Sequence, residues 1–170
     1  MVLQWVSARP AGLHAIVPVR ALEAEFVGDA HQPWPVVVKP LAAQGVVTPE
    51  AADATELLWA FGVLIGNTDM HAGNLSFVSD TGRPYHLGPA YDMTPMAFAP
   101  NSGGKLNSTI PSLALHASVR NSHWHQALVM AQSYLLVLQN CGQFSADFAI
   151  CIDALEVHLN IASQQIARLG

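Results

Sequence analysis

The chain has 170 residues, with seven Lys and Arg against twelve Asp and Glu for a net charge of -5, and its composition is 51% hydrophobic but only 11% charged. That length suits a single domain spanning 1–170 with a buried core, and the acidic balance argues against direct nucleic-acid binding. Charged residues fall well below the roughly 25% of an average soluble domain, so some apolar surface is expected to face a partner.

The amino-terminal stretch MVLQWVSARPAGLH lacks the basic and long apolar regions of a secretory signal, and Cys141 and Cys151 do not make a disulfide framework. The longest apolar runs, LLWAFGVLIG (57–66) and ALVMAQSYLLVL broken by Gln132, fall short of the roughly 18 consecutive residues of a membrane span. A cytoplasmic protein with no membrane contact is the default expectation.

Along the chain, LQWV and HAIVPV are candidate short strands, restricted to edges by Pro10, Gly12 and Pro18. RALEAEFV (20–27) predicts a short helix ended by Gly28, and WPVVVKPLAAQ a second one that Pro40 would kink or end. Thr48-Pro49-Glu50 is a helix start, with Thr as N-cap and Pro in the first turn. Leu57, Leu58, Phe61, Leu64 and Ile65 then follow at helical spacing up to a stop at Gly66. LSFV (75–78), the turn SDTGRP and YHL (85–87) predict a β hairpin leading into GPAYDMTPM. In the carboxyl half, Ser122 is the expected cap of a helix to about Asn140, and Ser145 of a last helix to about Leu169.

Between the Gly66 stop and the hairpin lies NTDMHAGN, which places Asp69 and Asn74 on irregular backbone whose base the helix fixes. Phosphoryl transfer by protein kinases needs an Asp to accept the substrate hydroxyl proton, an Asn five residues later on magnesium, and a further Asp on magnesium beyond a short β element. Asp69, Asn74 and Asp92 follow that order, and their hard oxygens suit Mg²⁺. Taken alone, Asp69 in an Asn-Thr-Asp loop is more often a turn or capping residue; the three together favour the magnesium reading.

NTDMHAGNLSF (67–77) with AYDM (90–93) resembles the carboxyl-terminal domain of HipA-like Ser/Thr kinases, toxins of bacterial toxin–antitoxin systems. Asn67, Asp69, His71, Asn74, Pro89, Tyr91 and Asp92 occupy that family's pattern N-x-D-x-H-x-x-N, hairpin, P-x-Y-D. WAFGVLIGN and DMTPMAFAP resemble the YjjJ subgroup, and the similarity runs from about residue 13 to the end. The resemblance implies a mainly α (α+β overall), protein-kinase-like carboxyl lobe with a small β hairpin at the active-site mouth. It implies Asp69 as catalytic base, Asn74 and Asp92 as magnesium and nucleotide ligands, and His71 as a brace of the cofactor-binding loop. ATP and Mg²⁺ are the implied cofactors, a translation-related protein the implied substrate, and an antitoxin an implied partner.

The sequence departs from that pattern in showing no Gly-rich loop followed by a phosphate-binding Lys. Lys39 lies in a Pro-flanked segment, and Lys105 in SGGKLN lacks the preceding strand and following helix of a phosphate loop. The chain is therefore expected to be a carboxyl lobe whose amino-terminal nucleotide lobe is absent, with apolar surface where that lobe would pack. The alternative is a catalytically inactive lobe that serves as a binding module. His123 and His125, two apart on a helix, point to different faces and are not expected to share a metal. Trp59, Phe61, Phe148, Leu155 and the two cysteines are read as packing.

Overall fold

The computed structural model describes residues 15–26, 32–100 and 112–169, so LQWV, Gly28 and Lys105 lie outside the described residues. The chain folds as two compact units, one made of residues up to Thr55 with His71–Asp92, the other of Glu56–Met70 with Met93 onward.

The first unit holds strand β1 (Ala15–Pro18), helices α1 (Val19–Phe26) and α2 (Trp34–Ala43), the opening turns of α3 (Pro49–Leu64), and strands β2 (Ser76–Ser79) and β3 (His86–Leu87). The predicted hairpin forms, with β2 and β3 antiparallel in the register Phe77↔Leu87 and Val78↔His86. It is not alone: β1 pairs antiparallel with β2 from Ala15↔Ser79 to Pro18↔Ser76, giving a three-stranded sheet of order β1-β2-β3. The expected lone hairpin is thus corrected to a sheet. Pro18 sits at the end of an edge strand, where its missing N–H costs no ladder bond, and the Val19 N–H then bonds the Leu75 carbonyl at 2.9 Å.

Tyr85, read as part of the second hairpin strand, instead makes an isolated parallel bridge with Val47. β2 alternates as its sequence suggests, with Phe77 and Ser79 buried and Ser76 and Val78 half-buried. Leu22, Trp34, Val37, Val38, Leu41, Leu75 and Phe77 are among the buried apolar residues of this unit. Pro35 lies in the first turn of α2 and Pro40 in its last, so the helix runs on to Ala43 instead of stopping at the second proline.

The α3 start is as the sequence predicts: the Ala51 N–H donates to Thr48 Oγ1 at 3.1 Å. Helices α2 and α3 end alike. Gly45 (φ 68°) and Gly66 (φ 71°) take left-handed conformations. The next residues bond back, Val46 N–H to the Leu41 carbonyl and Asn67 N–H to the Gly62 carbonyl, each at 2.9 Å, while the glycine N–H groups bond Ala42 and Val63. This double bond pattern satisfies carbonyls that the last helical turn leaves over, and the left-handed residue at its centre favours glycine.

The second unit contains the rest of α3, a 3-10 turn at Met96–Phe98, and helices α4 (Asn121–Asn140) and α5 (Ala146–Ile166). The side chain of Asn121 at the start of α4 bonds the carbonyl of Leu169 beyond α5, and Gln139 bonds Glu156. The pair is therefore an antiparallel helical hairpin joined by residues 141–145. Its core gathers Ala60, Leu64, Ile65, Phe98, Trp124, Ala131, Leu155, Leu159 and Ile166. Leu155 is buried, and Trp59, Phe61 and Phe148 pack half-buried against that core, as their helical spacing suggests.

Ser122 is not the cap of α4. The N-cap is Arg120, whose backbone N–H and Nε–H both donate to Oε1 of buried Glu56, and His123 Nδ1 lies 3.2 Å from the same oxygen. A carboxylate from α3 thus satisfies a helix end that the sequence assigns to a local serine. Ser145 takes the N-cap place of α5 without a side-chain cap bond, and α5 ends at Ile166, before the expected Leu169. His123 is buried and His125 exposed, on different faces of α4. Among the described residues no helix is long and apolar enough to cross a membrane.

Candidate functional site

The loop after α3 starts with a side-chain-closed turn. Asn67, 5% exposed, accepts the Asp69 N–H on its Oδ1 at 2.9 Å and points its amide at Met93 Sδ, 3.8 Å away. Asn67 is thus the turn residue here, and it fixes the backbone of half-buried Asp69 within the second unit.

The next residues, His71–Leu75, belong to the first unit and are held by nearly every carbonyl they own. The His71 carbonyl accepts both the Asn74 N–H at 3.0 Å and the indole N–H of buried Trp34 at 3.0 Å. The Ala72 and Leu75 carbonyls accept the N–H groups of Arg20 and Val19 at the start of α1, at 3.2 and 2.9 Å. The Gly73 carbonyl accepts the Tyr91 hydroxyl at 2.6 Å, and the Gly73 N–H donates to His71 Nδ1 at 2.9 Å. A neutral His71 therefore carries its proton on Nε2. A Cβ on Gly73 would meet His71 Cε1 at 2.7 Å, so a side chain there would push the exposed imidazole off its bond to the Gly73 N–H.

Two predicted site residues meet. Asn74, 8% exposed, donates from Nδ2 to Asp92 Oδ2 at 3.3 Å across 18 residues of sequence. Asp92 is exposed, and it is the one non-glycine residue with positive φ, at 56°, among the described residues. Such a conformation costs about 1–2 kcal/mol for an ordinary residue and less for Asp or Asn, and it persists only where the surroundings impose it.

In this contact the amide nitrogen of Asn74 faces the carboxylate; its amide oxygen and the Asp92 oxygens are hard donors of the kind that fits Mg²⁺, which takes few protein ligands and keeps waters or phosphate oxygens for the rest. Among the described residues no group of three or more His, Cys, Asp or Glu side chains gathers as a metal cage. His71, exposed, bonds within the loop, accepting the Gly73 N–H on Nδ1 and the Asn74 and Trp34 N–H groups on its carbonyl. Asp69 belongs to the other compact unit and is held there by Asn67. The cavity of about 210 Å³ lined by Met96, Phe98, Leu138, Phe148, Cys151 and Leu155 is apolar, and none of the predicted site residues lines it.

Sequence reasoning named Asn67 and Tyr91 only as members of a pattern and gave Trp34 no role. Their partners lie 2, 18 and 37 residues away. For Asn67 the Asn-x-Asp spacing was a readable turn signal; for the other two no local signal exists.

A family model for the HipA-like C-terminal domain matches residues 40–157. The chain belongs to that family. Over 155 residues it is 35% identical to Toxin YjjJ of Escherichia coli (strain K12), a match that covers 91% of this chain and 34% of that protein. The chain therefore spans about a third of the length of this relative, and the matched family segment includes the whole loop from Asn67 to Asp92.

Proposed function

We propose that this chain is the kinase-like carboxyl lobe of a HipA-like toxin kinase, and that with a nucleotide lobe it transfers phosphate from Mg-ATP to a Ser or Thr of a protein. The observation that carries this reading is the Asn74–Asp92 contact at 3.3 Å, with Asp92 held at φ 56° on a hydrogen-bonded loop. A carboxylate held at positive φ beside an amide brings together the two kinds of side chain whose oxygens a Mg²⁺ site draws on. Family membership and the relative's description as a toxin support the same reading.

In this account Asn74 and Asp92 would hold Mg²⁺, which would supply positive charge to the phosphate oxygens. Asp69, five residues before Asn74 in the sequence, orients the acceptor hydroxyl and takes its proton. The acceptor oxygen bonds to the γ-phosphorus as the bond to the β–γ bridging oxygen breaks, and ADP leaves with that electron pair. His71 holds the loop that carries Asn74. The resemblance points to a translation-related substrate and an antitoxin as partner.

Phosphoryl transfer from γ-labelled ATP, measured with the chain joined to its nucleotide lobe, tests these roles. Asp69→Asn and Asp92→Ala should each lower the rate by roughly 10²- to 10⁴-fold with the fold intact. Transfer that survives either change removes the role given to that residue. A second reading, a non-catalytic module that pairs with a nucleotide lobe or an antitoxin, is favoured by one observation. Val129, Leu136 and Val137 on one face of α4 are 64%, 56% and 66% exposed. Binding of the partner without any transfer by the joined protein would select it.

A further inference from the structure

We infer that Tyr91 is the positioning residue that sets metal affinity, because its hydroxyl clamps the strand of chain that carries Asp92 onto the loop that carries Asn74. The inference rests on the magnesium reading of that pair.

The hydrogen-bond roles follow from the acceptors present. The Gly73 carbonyl can only accept, so the Tyr91 hydroxyl donates to it at 2.6 Å. Tyr91 then has no proton left for Ser76, so at 3.1 Å Ser76 Oγ–H donates to the Tyr91 oxygen. The result is a directed chain from Ser76 through Tyr91 to Gly73. Its ends lie on the residue just before Asn74 and on the first residue of β2, two positions after Asn74. Tyr91 itself is the residue just before Asp92.

One hydroxyl therefore fixes both flanks of Asn74 to the immediate neighbour of Asp92. This explains how a carboxylate on exposed backbone at φ 56° keeps a fixed place: the chain before it is tied at two points, and its own carboxylate is tied to Asn74 at 3.3 Å. The ring of Tyr91 is 42% exposed, so burial contributes little to its reason for being there. The hydroxyl is the part of the side chain with two partners.

The test is Mn²⁺ binding by this chain, read from water-proton relaxation, for the wild type, Tyr91→Phe, Ser76→Ala and Asp92→Ala, with thermal unfolding of each. Tyr91→Phe keeps the ring and removes only the clamp. It should weaken Mn²⁺ binding about five- to ten-fold, the effect of losing one to two modest hydrogen bonds that preorganise the pair. Ser76→Ala, which leaves the bond to Gly73, should weaken it less. A merely structural tyrosine would lower the unfolding midpoint and leave metal affinity, measured well below that midpoint, unchanged; that outcome overturns the inference while the magnesium reading stands. Wild-type affinity retained in Asp92→Ala would overturn the magnesium reading, and the role of Tyr91 with it.

Discussion

Gly45 and Gly66 offer a matched pair for separating backbone strain from steric overlap, since both close helices in the same way at φ 68° and 71°. A Cβ on Gly45 meets nothing within 4 Å, whereas one on Gly66 would stand 2.5 Å from Cε2 and 3.1 Å from Cζ of Phe98. Left-handed backbone costs alanine about 1–2 kcal/mol, and the stiffer unfolded chain returns about 0.4–1 kcal/mol, so Gly45→Ala should destabilise by about 0.5–1.5 kcal/mol. Phe98 is 7% exposed, lies edge-on to His158 at 5.4 Å, and belongs to the core of its unit, so its ring can give way only by leaving those contacts for the apolar cavity it lines. Overpacking of that kind adds about 1–3 kcal/mol, which brings Gly66→Ala to about 2–4 kcal/mol. Equilibrium urea unfolding followed by circular dichroism measures both. Equal losses in the two variants, or a smaller loss at Gly66, would refute the argument that Phe98 makes the second glycine obligatory.

Three further outcomes follow from the same geometry. Asp92→Gly should keep or raise the stability by about 0–1 kcal/mol in urea unfolding, because glycine relieves the positive φ, while it loses cation binding; a clear loss of stability would mean the strain has no functional origin. Glu56→Gln should cost about 1–3 kcal/mol in the same assay, because the amide keeps an acceptor for the start of α4 but leaves half-exposed Arg120 without its carboxylate. Burial holds the Tyr134 phenol above its ordinary value of 10.0. The unfolded chain then releases its proton first, so stability is full below about pH 10 and falls as pH rises toward the folded-state value. Tyr134→Phe should flatten that alkaline fall in a pH series of thermal midpoints.

What could be read from the sequence was local. Thr48-Pro49 capped α3 as written, the Gly66 stop closed it, and the Phe77 and Leu87 segments paired as a hairpin. What escaped depended on partners far along the chain. β1 pairs with β2 across some sixty residues, from Ala15 to Ser79, and a four-residue segment ending in Pro18 does not announce its neighbour. α4 takes its cap from Glu56, 64 residues before Arg120, so Ser122 was the reasonable local choice and the wrong one. The order Asp69, Asn74, Asp92 can be read along the chain, and the contact between the last two is what the structure adds. The positive φ of Asp92 and the hydroxyl of Tyr91 that steadies its neighbour were not, since neither leaves a trace in residue spacing. The bland reading of Asp69 as a turn residue was half correct in kind: a turn is there, and Asn67 closes it.

The central claim is that Asn74 and Asp92 form a cation site. Mn²⁺ added to isotope-labelled chain and read as line broadening in amide correlation spectra tests it directly, because paramagnetic broadening reports even weak binding residue by residue. The account predicts broadening centred on Gly73 to Ser76 and Tyr91 to Asp92, reversed by Mg²⁺ and abolished in Asp92→Ala. Broadening centred elsewhere, or undiminished in Asp92→Ala, would contradict it.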